Sequence, residues 1–120
     1  MSCEKFIGKM FLTRDVAHSV HLSTRSYAKH MALGSFYDEP IDLVDKFAEA
    51  YQGRYGMIGT IELQSADGAK NIVSFLEAQM KGVEEMRYKI VSKDDTALQN
   101  ILDEIVGLFA STLYKLKFLA

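Results

Sequence analysis

The chain has 120 residues, of which 48% are hydrophobic and 25% are charged. That length allows one sizeable core and is too short for two domains, so we expect a single domain over residues 1–120. The formal net charge of −2 argues against the broad basic face that binding to a nucleic-acid backbone requires, and DNA is not an expected partner.

The sequence also lacks a candidate membrane segment. Apolar stretches stay shorter than the roughly 18 to 20 residues that a membrane span needs, and Glu4, Lys5 and Lys9 interrupt the first segment with charges. These features predict a cytoplasmic protein without membrane contact. Cys3 is the only cysteine, which excludes an intrachain disulfide and a zinc site built from several thiolates.

The first half of the chain predicts two helices. Apolar residues recur at helical spacing from residue 4 to about residue 24, and again from about 27 to about 53. Pro40 interrupts the second pattern, because a proline inside a helix removes a hydrogen bond and kinks the backbone. Two alternatives stay open: helix two bends at Pro40, or it restarts there with Asp38 near its N-cap. In the second case helix one could continue to Leu33.

The second half predicts a long connection followed by two more helices. Residues 52–68 contain four glycines and form the expected connection, in which 58–63 could be a short extended piece. Helix three is predicted from near Asp67 to Ile90, and helix four runs to the C-terminus after a cap at Ser92, Asp94 or Asp95. Four helices with one long connection between helices two and three predict an all-α, ferritin-like four-helix bundle.

The candidates for chemistry are an acidic pair and the three histidines. Asp45 and Glu49 lie four residues apart, so their carboxylates share one helical face and could bind one hard cation. The alternative is that this face is simply the solvated side of an amphipathic helix. His18, His21 and His30 supply imidazoles, which together with carboxylates suit iron, zinc or manganese.

Geometry constrains how these residues could meet. Fifteen residues of continuous α-helix span roughly 22 Å, so His30 and Asp45 could not share a metal within one chain if they lay in one helix. A two-fold dimer could instead place His18 and His30 of one chain opposite Asp45 and Glu49 of the other. The sequence therefore predicts that any shared site lies between subunits.

The spacing of these residues carries a family resemblance. His18, His30, Asp45 and Glu49 follow one another at intervals of twelve, fifteen and four residues, and the runs 44–49 (VDKFAE) and 36–39 (FYDE) accompany them. This pattern resembles the Dps-type miniferritins. The resemblance implies an intersubunit mono- or di-iron site with those four ligands, ferroxidase activity, and iron storage in a homo-oligomer, which would be a dodecamer in a Dps-like protein.

Two questions stay open at this point. His21 is a rival to His18 as the ligand from helix one. The chain could also be a metal-free ferritin-like bundle that acts as an oligomeric interaction scaffold, with the acidic stripe of helix two facing solvent.

Overall fold

The computed structural model describes residues 2–66 and 71–119, and these residues are helical or irregular, with no strand among them. The predicted all-α class is therefore confirmed, and residues 58–63, considered above as a short extended piece, form no strand. The described residues form five helices in chain order: α1 (Cys3–Ser23), α2 (Tyr27–Phe36), α3 (Glu39–Tyr55), α4 (Ile72–Ile90) and α5 (Thr96–Phe118).

Polar side chains cap the starts of four of these helices. Ser2 accepts a hydrogen bond from the Lys5 amide at 3.2 Å, and Ser26 accepts one from Lys29 at the same distance. Further along, Asn71 caps α4 and Asp95 caps α5, so Asp95 is the cap among the three predicted candidates. The predicted start of helix three near Asp67 lies outside the described residues.

The segment predicted as helix two is divided into α2 and α3. Pro40 lies in the first turn of α3, where its missing N–H group would have no helical partner in any case. Asp38 occupies the N-cap position, as the restart alternative predicted, but makes no side-chain capping bond. A continuation of helix one to Leu33 is wrong, because Thr24 is extended and Ser26 caps a new helix.

The helices pack as a bundle with four corners. One corner is α1, the next is α2 together with α3, the third is α5 and the fourth is α4, and each corner packs against its two neighbours. Within the described residues, α1 does not pack against α5 across the bundle. The large side chains that fill the centre include Phe6, Phe36, Phe47 and Phe109, all of which are fully buried.

The long connection lies between α3 and α4, as predicted. It begins at Gly56, whose φ of 98° lies in the region that glycine adopts without strain. In the parts of the chain that are described, no helix is both long and apolar enough to cross a membrane.

Candidate functional site

The three histidines come together where α2 folds back on α1. Residues 24–26 form the turn between the two helices, and this turn brings His21 and His30 face to face. Their ring centroids are 3.9 Å apart, with 16° between the ring planes. The contact could not be read from the spacing of the two residues, because it depends on the direction of the turn.

Reciprocal hydrogen bonds hold the two rings. Nδ1 of His21 lies 2.6 Å from the carbonyl oxygen of His30, and Nδ1 of His30 lies 2.8 Å from the carbonyl oxygen of His21. A carbonyl oxygen can only accept, so each Nδ1 carries the proton and donates it. In the neutral rings, both Nε2 atoms therefore keep their lone pairs.

Gly34 provides the space for this arrangement. A Cβ atom added at Gly34 would lie 2.9 Å from Cε1 of His21 and 3.2 Å from its Nδ1. The His21 ring thus rests directly on the backbone of α2. A larger residue at this position would force the His21 ring or the helix backbone to shift.

Tyr37 extends the stack of rings. The His18 ring lies parallel to the Tyr37 ring, with centroids 4.0 Å apart and 3° between the planes, and the centroids of His21 and Tyr37 are 5.3 Å apart. We call His18, His21, His30 and Tyr37 the histidine cluster. All four side chains are half-buried, so one side of the cluster remains open to solvent.

The acidic pair is placed on α3 as predicted. Asp45 and Glu49 both lie on this helix and both are exposed. Among the described residues, neither carboxylate has an ion-pair or hydrogen-bond partner in the fold. Both carboxylates are therefore free to meet solvent at this face of α3.

The fold does not gather these candidates into a metal site within one chain. Residues 2–66 and 71–119 contain no group of three or more His, Cys, Asp or Glu side chains that could hold a metal ion. The continuous helix two on which the distance argument rested is wrong, because His30 lies on α2 and Asp45 lies on α3. A site shared between subunits stays a prediction.

A second polar cluster joins the end of α3 to the start of α5. The buried Asp95 accepts a hydrogen bond from the Tyr55 hydroxyl at 2.5 Å and one from the Leu98 amide at 3.3 Å, and Arg54 lies 3.5 Å from its carboxylate. The Tyr55 bond is the largest of the causes that lower the pKa of Asp95, and the same bond raises the pKa of Tyr55. This cluster stabilises a helix junction.

Sequence reasoning named Asp95 as a cap but missed its partner. Tyr55 is 40 residues away, and no local pattern connects the two positions. It also treated His21 as a rival to His18 and not as the partner of His30. The Ser26 cap could have indicated the contact between His21 and His30. It limits the turn before α2 to three residues and so brings the end of α1 close to the start of α2.

Comparison with known proteins places this helical bundle in a family. Residues 21–116 match the model of a family of unknown function, DUF5856, and the chain belongs to that family. The matched region begins at His21 and contains His30, Asp45 and Glu49, while His18 precedes it.

One curated relative comes from a bacteriophage. The chain is 30% identical over 118 residues to an uncharacterized 14.6 kDa protein in the mobD-ri intergenic region of Enterobacteria phage T4. The alignment covers 94% of this chain and 86% of the relative. No solved structure matches the chain.

Proposed function

We propose that this protein is a Dps-like iron-binding protein that oxidises and stores Fe(II) in a homo-oligomer. In this proposal His18 and His30 of one chain face Asp45 and Glu49 of a second chain across a two-fold axis. The observation that carries the proposal is the unpaired acidic pair on α3. Two exposed carboxylates one helical turn apart, without a basic partner among the described residues, provide oxygen ligands for a divalent cation.

The hydrogen bonding of the His30 ring also supports metal binding. Histidine ligands in metal sites usually donate their other ring N–H to a carbonyl or carboxylate, which fixes the ring and its tautomer. Nδ1 of His30 is engaged in this way by the His21 carbonyl, at 2.8 Å. Its Nε2 atom is therefore the nitrogen that can act as a ligand.

A second chain is needed to complete the site. No three-ligand group is present within the described residues of one chain, and both carboxylates point out from the bundle as exposed side chains. An isologous dimer would form two equivalent sites, since each chain contributes both halves. Each bound Fe(II) would give up one electron to the oxidant and become Fe(III).

Iron titration tests the proposal directly. We expect saturable anaerobic Fe(II) binding by the wild type, followed in air by oxidation faster than in buffer, measured by absorbance of the ferric product. Both should be lost in the double variant Asp45→Asn with Glu49→Gln. The control is Glu84→Gln with Glu104→Gln, which removes two exposed carboxylates from other helices. Equal binding by the two double variants, or no binding by the wild type, would refute the iron site.

An interaction scaffold is the second candidate, and a separate observation favours it. Large apolar side chains are exposed around the α1–α2 turn: Leu22 at 70%, Tyr27 at 76% and Met31 at 52%. Clustered exposed apolar groups are typical of protein interfaces. Under this alternative, Met31→Glu is expected to reduce the oligomer mass in sedimentation velocity, and the wild type is expected not to bind iron. A monomeric wild-type protein would contradict it.

A further inference from the structure

A cleft between α1 and α4 is lined by three lysines and by a glycine of α4. It has a volume of about 390 Å³, and Lys9 from α1 lines it together with Lys81, Gly82, Glu85 and Lys89 from α4. Residues 81, 85 and 89 are spaced by four, so their side chains leave α4 on the same side. The cleft is separate from the histidine cluster and from the acidic pair.

The absence of a side chain at Gly82 leaves the space in which the end of the Lys9 side chain lies against α4. A Cβ atom added at Gly82 would lie 2.5 Å from Cε of Lys9 and 2.8 Å from its Nζ. A Cβ atom at this position would therefore require the end of the Lys9 side chain to move. Gly82 thus brings the Lys9 ammonium group close to the backbone of α4.

The backbone of Lys9 is also anchored to α4. Its carbonyl oxygen accepts hydrogen bonds from the Thr13 hydroxyl at 2.8 Å and from the Gln79 side-chain amide at 3.4 Å. The same amide donates to the Thr13 hydroxyl at 2.9 Å, and both side chains are buried. This network fixes the turn of α1 from which the Lys9 side chain extends.

The charges in the cleft are not balanced. Of the residues that the structure describes, Glu85 is the only one with a carboxylate that lines the cleft, and it lies 4.0 Å from the ammonium nitrogen of Lys81. Among the described residues, no carboxylate lies within 4.0 Å of the ammonium group of Lys9 or Lys89. Three ammonium groups and one carboxylate leave two excess positive charges in a chain whose formal net charge is −2.

We propose that this cleft binds the phosphate group of a phosphomonoester or of free phosphate. A terminal phosphate carries about −1.5 to −2 charges near neutral pH and presents three acceptor oxygens, which matches the two excess positive charges. Each ammonium group offers three donors. A phosphodiester carries a single charge and matches the cleft less well, so the internal phosphates of a nucleic-acid chain are not the assigned ligand.

Calorimetric titration at low ionic strength tests the assignment. The probes are inorganic phosphate, adenosine monophosphate, and a short single-stranded oligonucleotide without a terminal phosphate. We expect saturable binding of the first two at one site per chain and at least tenfold weaker binding of the oligonucleotide per site. Equal affinities for phosphate and the nucleotide identify the phosphate group alone as the ligand, and tighter nucleotide binding identifies a nucleotide.

Three variants locate the binding. Gly82→Ala keeps every charge but displaces the Lys9 ammonium group, and Lys9→Gln removes that charge. Lys9→Gln is expected to weaken phosphate binding at least tenfold, and Gly82→Ala is expected to weaken it by a smaller factor because the charge remains near the cleft. Lys29→Gln is the control, because it removes an equal charge from an exposed position on α2. Thermal unfolding followed by circular dichroism checks that each variant is folded. If Gly82→Ala does not fold, Lys9→Gln alone decides the question.

Several results would overturn the proposal. Absence of saturable binding by the wild type would refute it, and so would equal affinities of Lys9→Gln and Lys29→Gln. Oligonucleotide binding as tight as nucleotide binding would refute the preference for a phosphomonoester. None of these results depends on iron, because the cleft contains none of the four proposed iron ligands.

Discussion

Replacing Gly34 with alanine tests how the histidine cluster is built. The added Cβ would lie 2.9 Å from Cε1 of His21, closer than packed carbon atoms approach, so the ring must move. Movement of the ring would break its hydrogen bond to the His30 carbonyl, now 2.6 Å long. The reciprocal bond of 2.8 Å from His30 would weaken with it, because the two rings are stacked.

The expected change in the free energy of unfolding follows from two opposing effects of the Gly34→Ala substitution. A hydrogen bond contributes about 0.5–1.5 kcal/mol net, so losing both bonds costs about 1–3 kcal/mol. Replacing glycine by alanine inside a helix stabilises it by about 1 kcal/mol. The expected result for Gly34→Ala is a change between about zero and a destabilisation of about 2 kcal/mol.

Gly107→Ala is the matched control. Gly107 lies inside α5, and among the described residues no heavy atom other than those of its chain neighbours and of the backbone of its own helix lies within 4 Å of a Cβ added there. Only the helix-forming gain of about 1 kcal/mol applies at this position. Both variants gain the same helix-forming contribution from alanine, so it cancels when they are compared. Their free energies of unfolding should therefore differ by about 1–3 kcal/mol, the contribution of the two hydrogen bonds.

Urea unfolding near neutral pH, followed by circular dichroism, gives these free energies by linear extrapolation. A second pair of variants identifies the clashing group. When His21 is also replaced by alanine, Gly34→Ala should stabilise the protein by about 1 kcal/mol, because the ring is gone. If Gly34→Ala stabilises the wild type as much as Gly107→Ala does, His21 does not lie against Gly34 and the reasoning is refuted.

Three further predictions concern the core, the junction between α3 and α5, and the thiol. Phe47 is fully buried and packs edge-to-face on Phe6 with centroids 5.1 Å apart, so Phe47→Ala should cost about 3–5 kcal/mol in urea unfolding; a loss under about 1 kcal/mol would contradict its central position. The Tyr55 hydrogen bond lowers the pKa of Asp95 below its ordinary value of 3.8, so the stability contributed by this carboxylate is present above that value and is lost as pH falls through the folded-state pKa. Tyr55→Phe should therefore flatten the acid side of the stability profile, and an unchanged profile would mean that the bond does not form in solution. Burial raises the pKa of the Cys3 thiol to about 11, and the thiolate is the reactive form; we expect an aromatic disulfide reagent to react near neutral pH only as fast as the protein unfolds, whereas an immediate reaction would contradict this burial.

The helices were predictable because their causes are local. An apolar stripe of period 3.6 and a capping side chain both act within one or two turns, which is why α1 and α5 begin and end within about two residues of the predicted bounds. The break near Pro40 was also a local matter, and one of the two alternatives described it correctly. The shared helix of Asp45 and Glu49 follows from the same local rules.

The contacts between helices were not predictable, because periodicity does not say which stripe of one helix meets which stripe of another. Gln79 and Thr13 are 66 residues apart and share a buried hydrogen bond, although each reads in sequence only as a polar residue within an apolar stripe. The close approach of Lys9 to Gly82 belongs to the same class. The spacing of His18 and His30 likewise gave no indication that the His21 ring would stack on the His30 ring.

The amino-acid sequence by itself determined an all-α chain, its principal helices and the cap at Asp95. It also determined that Asp45 and Glu49 lie on one face of a helix. Only the tertiary structure decided that His21 stacks on His30, that Tyr55 reaches Asp95, and that Lys9 crosses α4 at Gly82. The physical reason is the distance along the chain over which each kind of interaction acts. Backbone hydrogen bonds, caps and proline act between residues a few positions apart, whereas these contacts depend on how whole helices turn and pack once the large apolar side chains are buried.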